Sequence, residues 1–84
     1  MSTIVYIAEG CSHCARLLED LRRRHVACVV VDLTREPGRV AEVAALTWER
    51  RVPVVVDHER CSIGFAGGSS SFAEVGITWP RPVR

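Results

Sequence analysis

Cys11 and Cys14 are two thiols separated by Ser12 and His13. At that spacing two sulfurs either close a disulfide or supply half of a tetrahedral metal site. The flanking sequence decides where they sit. An apolar run, Thr3–Ala8, ends just before them, and an amphipathic run starts at Cys14. A cysteine in the first turn of a helix meets unpaired N–H groups and the positive end of the helix dipole, and both favour the thiolate. The thiolate is the attacking species, and a free thiol near pKa 8.5 is mostly protonated at neutral pH. Cys11 is therefore expected to attack a disulfide, and Cys14, one turn on along the same face, to resolve the mixed disulfide. A protonated His13 beside them would stabilise the thiolate further; otherwise it is an exposed histidine at a helix start.

The elements that must position the pair can be read in order. Thr3–Ala8 is β-branched and aromatic without polar alternation, as in a strand buried on both faces. From Cys14, Leu17, Leu18 and Leu21 keep helical spacing, and the helix is expected to end near Arg24 and His25. Ala27–Val31, closed by Asp32, reads as a second buried strand, so strand, helix and strand form a right-handed βαβ unit. Thr34 can cap a second helix, with Pro37 near its first turn and Val40, Val43, Ala44 and Trp48 as its apolar stripe. Val52–Val56 is a third strand opened by Pro53. Asp57–Glu59 turns the chain into a fourth strand, Arg60–Phe65. Gly67–Ser71 is a flexible break, and Phe72–Val75 suits a short last helix capped by Ser69 or Ser70. The order is βαβαββα. Residues 1–84 are expected to form a single domain, with 78–84 a frayed tail behind Pro80 and Pro82.

Composition narrows the class. With 84 residues, 48% of them apolar, 25% charged and a net charge of +1, the chain is an ordinary small globular protein. That balance gives no electrostatic case for nucleic acid or a membrane surface. The apolar run Ile4–Ala8 is too short for a signal core and no stretch reaches membrane-spanning length. The cytoplasm is the expected setting, and there four cysteines point to catalysis or metal rather than to structural disulfides.

The stretch Val5-Tyr6-Ile7-Ala8-Glu9-Gly10-Cys11-Ser12-His13-Cys14 resembles the opening of glutaredoxins, V-Y-x-x-x-G-C-x-x-C. Arg51–Val56 is similar to their second signature, in which the Val-Pro peptide is cis, and Ile63-Gly64-Phe65 to the segment after their hairpin. The likeness runs over residues 3–68. It implies a thioredoxin-like α/β fold: a four-stranded mixed sheet with helices on both faces. It also implies a dithiol–disulfide oxidoreductase that acts on a disulfide-containing client protein and exchanges electrons through a Cys11–Cys14 disulfide. Val52 and Pro53 would abut the C-x-x-C, the Val52 backbone would pair with an incoming substrate strand, and Ser12 and Gly64 would join that substrate-binding set. The resemblance implies no tightly bound cofactor. Reducing equivalents would come from NADPH through thioredoxin reductase, or from glutathione, and the working unit would be a monomer.

Departures from the pattern bear on the reductant. Glutaredoxins usually carry Lys three residues before the first cysteine and acidic residues after the hairpin, and both serve glutathione. This chain has Ala8 in the first place and Ala66-Gly67 in the second. Arg51 and Ser69–Ser71 are weak substitutes. The pattern Pro53-Val54-Val55-Val56, a turn and then Gly64-Phe65 is similar to that of NrdH-type redoxins, which are usually reduced by thioredoxin reductase rather than glutathione. Ser12-His13 departs from both groups.

Other residues have plainer readings. Cys28 is expected as a small buried hydrophobe and Cys61 as a strand residue, with a regulatory thiol as its sharper alternative. Tyr6 is expected in the core with a partner for its hydroxyl, and Arg22–Arg24 on a solvated helix face. The competing function is a metal or iron–sulfur binding module built on Cys11 and Cys14, with His13, His58 or Cys61.

Overall fold

A computed structural model describes residues 3–58 and 60–79 of the chain. Strand β1 (Thr3–Ile7) lies at the centre of a four-stranded sheet with order β2-β1-β4-β5. It pairs in parallel with β2 (Cys28–Asp32) and antiparallel with β4 (Val54–Asp57), which pairs antiparallel with β5 (Arg60–Ile63). The sheet is therefore mixed, as expected, and the parallel pair is bridged by helix α1 (Ser12–Arg23). A central strand must be apolar on both faces, and Val5 and Tyr6, which point to opposite faces, are 0% and 3% exposed.

The Tyr6 face packs on Val40 and Val43 of helix α2 (Val40–Leu46), with Val31, Leu33, Val54, Phe72 and Ile77 completing the cluster. Its hydroxyl donates to Glu42 Oε1 at 2.9 Å, the partner a buried phenol requires. Burial and that carboxylate both raise the Tyr6 pKa. Val5 and Leu17 of α1 are buried outside this cluster, so α1 covers the other side of the sheet.

Helix α1 ends where the sequence placed its end. His25 is left-handed at φ 56°, and Arg24 bonds Asp20 at 3.0 Å. Arg22–Arg24 are exposed and paired with Glu19 and Asp20, a solvated face.

Five expectations are corrected. The expected strand Val52–Val56 is divided at Pro53, which has no N–H for a ladder: Arg51–Val52 lies in a separate two-stranded sheet and only Val54–Asp57 joins the main one. Strand β2 is an edge strand, so Val29 and Val30 are 47% and 45% exposed and Cys28 is only half-buried. Thr34 caps no helix: its N–H and hydroxyl both bond Asp32 Oδ1, and Pro37 opens a 3-10 turn (Pro37–Arg39) that leads into α2. Trp48 is 86% exposed, because α2 stops at Leu46 and Thr47 is already extended, so the apolar stripe never reaches it. In place of a last helix, Ser70–Ser71 (β6) pairs antiparallel with Arg51–Val52 (β3) and turns follow over Phe72–Gly76. The cap is Ser71, whose Oγ accepts the Glu74 N–H while Glu74 Oε1 accepts the Ser71 N–H.

In the C-terminal stretch, Trp79 packs against Phe72 with ring centroids 5.5 Å apart and lies under the Arg50 guanidinium. Residues 80–84 lie outside the described residues. No helix among the described residues is long and apolar enough to cross a membrane.

The burial pattern predicts opposite outcomes at two large apolar side chains. Leu33, 1% exposed, should cost about 2–5 kcal/mol when replaced by Ala. Trp48→Ala should stay within about 0.5 kcal/mol of the parent. Urea unfolding of the two variants measures both.

Candidate functional site

The site is built at the end of the central strand. Gly10 follows β1 at φ 79°, a left-handed conformation that glycine takes without a Cβ penalty, and this turns the chain from the sheet into α1. The Glu9 N–H donates to Thr34 Oγ1 at 3.3 Å, tying this corner to the end of β2. Thr34, expected as a helix cap, thus buttresses the loop that carries the cysteines.

Cys11 is the N-cap of α1, with φ −93° and ψ 107°. Its Sγ accepts the Cys14 N–H at 3.1 Å, and its thiol faces the Val52 carbonyl at 3.9 Å. The sulfur therefore takes one of the helix's otherwise unpaired amides, from the N-cap position, one residue earlier than the expected first turn. Cys11 and Cys14 are 3% and 1% exposed, which is more covered than reactive thiols commonly are. An open cleft of about 570 Å³ adjoins the motif on its Gly10 side, with Glu9, Leu33, Thr34 and Ile77 in its wall. Cys11 does not line it.

The two thiols are not equivalent. Burial pushes Cys14 up from 9.0 to about 12, and its hydrogen bond with Cys11 adds to the shift. Cys14 is thus held as a thiol at neutral pH while Cys11 receives the amide.

The structure brings Val52 and Pro53 to this corner. Both are buried, the peptide between them is cis, and Gly64 N–H donates to Pro53 O at 2.8 Å. Ser12 opens α1 and is exposed. His13 is half-buried with its ring against Gly68, where an added Cβ would collide with it. Among the described residues it makes no hydrogen bond to either thiol. Cys61 is exposed on β5, where burial of its sulfur and the Glu49 charge raise its pKa. No group of three or more His, Cys, Asp and Glu side chains among the described residues is placed to hold a metal.

Sequence reasoning missed the neighbours of Val52. Ser70 stands opposite it across β3–β6, and Arg51 donates to Ser69 Oγ at 2.5 Å and Ser69 O at 3.3 Å. The signal was faint: a serine run behind two glycines reads as a flexible break.

The Cys14 shift has a pH consequence. The folded chain holds that proton more tightly than the unfolded chain. Its contribution to stability is therefore full below the free-thiol value near 9.0 and is lost as pH rises toward about 12. The melting temperature should fall between roughly pH 9 and pH 11, and fall less in Cys14→Ser, as calorimetry would show.

The comparisons with known proteins agree with this geometry. The family model "Glutaredoxin" matches residues 3–60. A glutaredoxin (grx-1) from Archaeoglobus fulgidus is 26% identical, with a TM-score of 0.70 over 76% of this chain and 75% of that one. NrdH-redoxin from Escherichia coli, described as a glutaredoxin-like protein with a thioredoxin-like activity profile, superposes over 98% of this chain and 100% of its own. Its TM-score is 0.69 at 20% identity, a likeness of fold. No curated protein matches the sequence. The fold is thioredoxin-like, and the chain belongs to the glutaredoxin family, whose general activity is thiol–disulfide exchange.

Proposed function

We propose that this protein is a dithiol reductant of client-protein disulfides, itself recharged by thioredoxin reductase and NADPH. The observation that carries the reading is the inequality of the two thiols. Cys11 is the capping sulfur that accepts a backbone amide, and Cys14 is buried and pushed up to about 12. Cys11 is the nucleophile. Its thiolate attacks one sulfur of the client disulfide, the S–S bond breaks, and the departing client sulfur takes a proton. Cys14 gives up its proton and attacks Cys11 Sγ in the mixed disulfide. The second client thiolate leaves, and two electrons have passed to the client. Cys11–Cys14 remains as a disulfide, which the reductase reduces.

His13 tunes the pair in this reading, and the Val52 backbone aligns the client, with Pro53, Ser12 and Gly64 around it. The reductant assignment is supported by Ala8. It stands where the family's glutathione-binding Lys is expected, it is 4% exposed, and no cation reaches out from it. Arg51, the nearest substitute, is engaged by Ser69. We read the protein as a cytoplasmic monomer of one domain, with a protein client rather than nucleic acid or membrane as its partner. The metal-module alternative finds no ligand cluster in its favour among the described residues.

The oxidised protein is offered two reducing systems, thioredoxin reductase with NADPH and glutathione with its own reductase. The first should reduce it at least about tenfold faster. Cys11→Ser should lower client reduction to background, and Cys14→Ser should accumulate the mixed disulfide on a non-reducing gel. Wild-type turnover in Cys11→Ser would sink the reading.

A further inference from the structure

The sulfur that starts the cycle is covered on its Val52 side. Cys11 is 3% exposed, and the Val52 carbonyl lies 3.9 Å from its Sγ. Val52 is in turn opposite Ser70 in an antiparallel ladder. The Phe72 N–H donates to Arg50 O at 2.8 Å, so positions 50 and 72 form a hydrogen-bonded pair. Such pairs alternate, so two residues on, Val52 and Ser70 exchange their backbone bonds as well. The edge of Val52 that would receive an extended client is therefore already taken by the chain's own Ser70.

The segment that brings Ser70 there has the form of a strap. It leaves β5 after Ile63 and from Phe65 closes a two-residue hairpin, Phe65 N–H to Gly68 O at 2.8 Å and Gly68 N–H to Phe65 O at 2.9 Å. The turn residues Ala66 and Gly67 lie at φ 53° and 80°, the left-handed pair of a type I′ turn. Glycine and asparagine suit the first of these positions; alanine does not, so the turn is poorly secured. The strap then passes Gly68 against the His13 ring and is anchored by Arg51 at Ser69, before Ser70 and Ser71 meet Val52 and Arg51. Its ladder is two residues long.

We propose that Phe65–Ser71 is an intramolecular strap seated on the Arg51–Val52 edge beside Cys11, and that an extended client backbone reaches Cys11 by displacing Ser70 from Val52. The client half rests on the reading of Cys11 as the nucleophile; the strap half does not. Closed, the strap shields the thiol from small oxidants and from casual disulfides. Open, it leaves the bonding groups of Val52 free for a partner that can offer a strand of its own. The segment thus acts as a competitor built into the fold, and it selects clients whose disulfide lies in chain able to extend.

The test uses the full chain carrying Cys14→Ser and follows iodoacetamide modification of each remaining cysteine by peptide mass spectrometry. Ser70→Pro removes the N–H that bonds Val52, and Arg51→Ala removes both bonds to Ser69. Each should speed modification of Cys11 at least about threefold, with Cys61 unchanged, because local opening governs access. Ala66→Asn, which places Asn-Gly at the turn, should slow Cys11 about threefold. Unfolding cannot mimic that slowing. The proposal is overturned if Ala66→Asn and Arg51→Ala both leave Cys11 at the parent rate. If modification shifts as stated while Cys11→Ser retains client turnover, the strap stands and the oxidoreductase reading fails.

Discussion

One hydrogen bond joins the fold to the chemistry: the Cys14 N–H donating to Cys11 Sγ at 3.1 Å. It is the N-cap of α1, and in the proposed reading the sulfur that caps the helix is also the sulfur that reacts. Cysteine is not among the strongly preferred capping residues, so the cap is retained at some cost to the helix. The acceptor is best when it carries charge, since a charge-assisted bond is roughly twice as strong as a neutral one. Chemistry at Cys11 Sγ therefore also alters the cap of α1. Everything that fixes the cap fixes the reactivity: Gly10 turns the chain, Thr34 holds the Glu9 amide, and the buried Val5–Tyr6 strand anchors the corner.

The parts of the molecule written in local patterns were legible from the sequence. β1 is a run with no polar alternation, α1 has its leucines at helical spacing, and both are where the pattern puts them. The β4–β5 hairpin follows from its turn residues, and the cis Val52-Pro53 peptide is the one the glutaredoxin resemblance implies. Asymmetry at the site was legible too, because a helix start treats its first thiol differently from one a turn further in. What was hidden depends on pairings between distant residues. Ala27–Val31 is as apolar as β1, yet its position at the edge leaves Val29 and Val30 near half exposed. Trp48 keeps the helical interval from Val40 and Val43, yet the helix ends two residues before it. Three consecutive serines after two glycines carry no periodicity, so nothing local announces that Ser70 pairs with Val52, eighteen residues earlier.

These hidden pairings fall where function is decided. The β1–β2–α1 frame is common to many thioredoxin-like chains. In the proposed reading, the neighbours of Val52, and Ala8 in place of a cation, set which partners can approach. Ala8 is buried in the cluster with Tyr6, Cys11 and Cys14. A charged side chain there would have to snorkel out of that packing to meet a carboxylate, whereas alanine lets the corner close. In the proposed reading, preference against glutathione is a packing property as much as a missing charge.

The energetics of the β3–β6 ladder suit a strap that opens. Each cross-strand pair contributes about 0.2–1 kcal/mol, and a net backbone hydrogen bond about 1 kcal/mol. Two paired positions and the exposed Arg51–Ser69 contact therefore hold the strap by only a few kcal/mol. A client strand that settles on Val52 restores the backbone bonds that Ser70 gives up, so the exchange is close to even. A small oxidant offers no such bonds and must await spontaneous opening. Discrimination between a protein strand and a small molecule can then arise at Val52 before any sulfur has moved, which places the specificity of this redoxin in its backbone rather than in charged handles around the thiols.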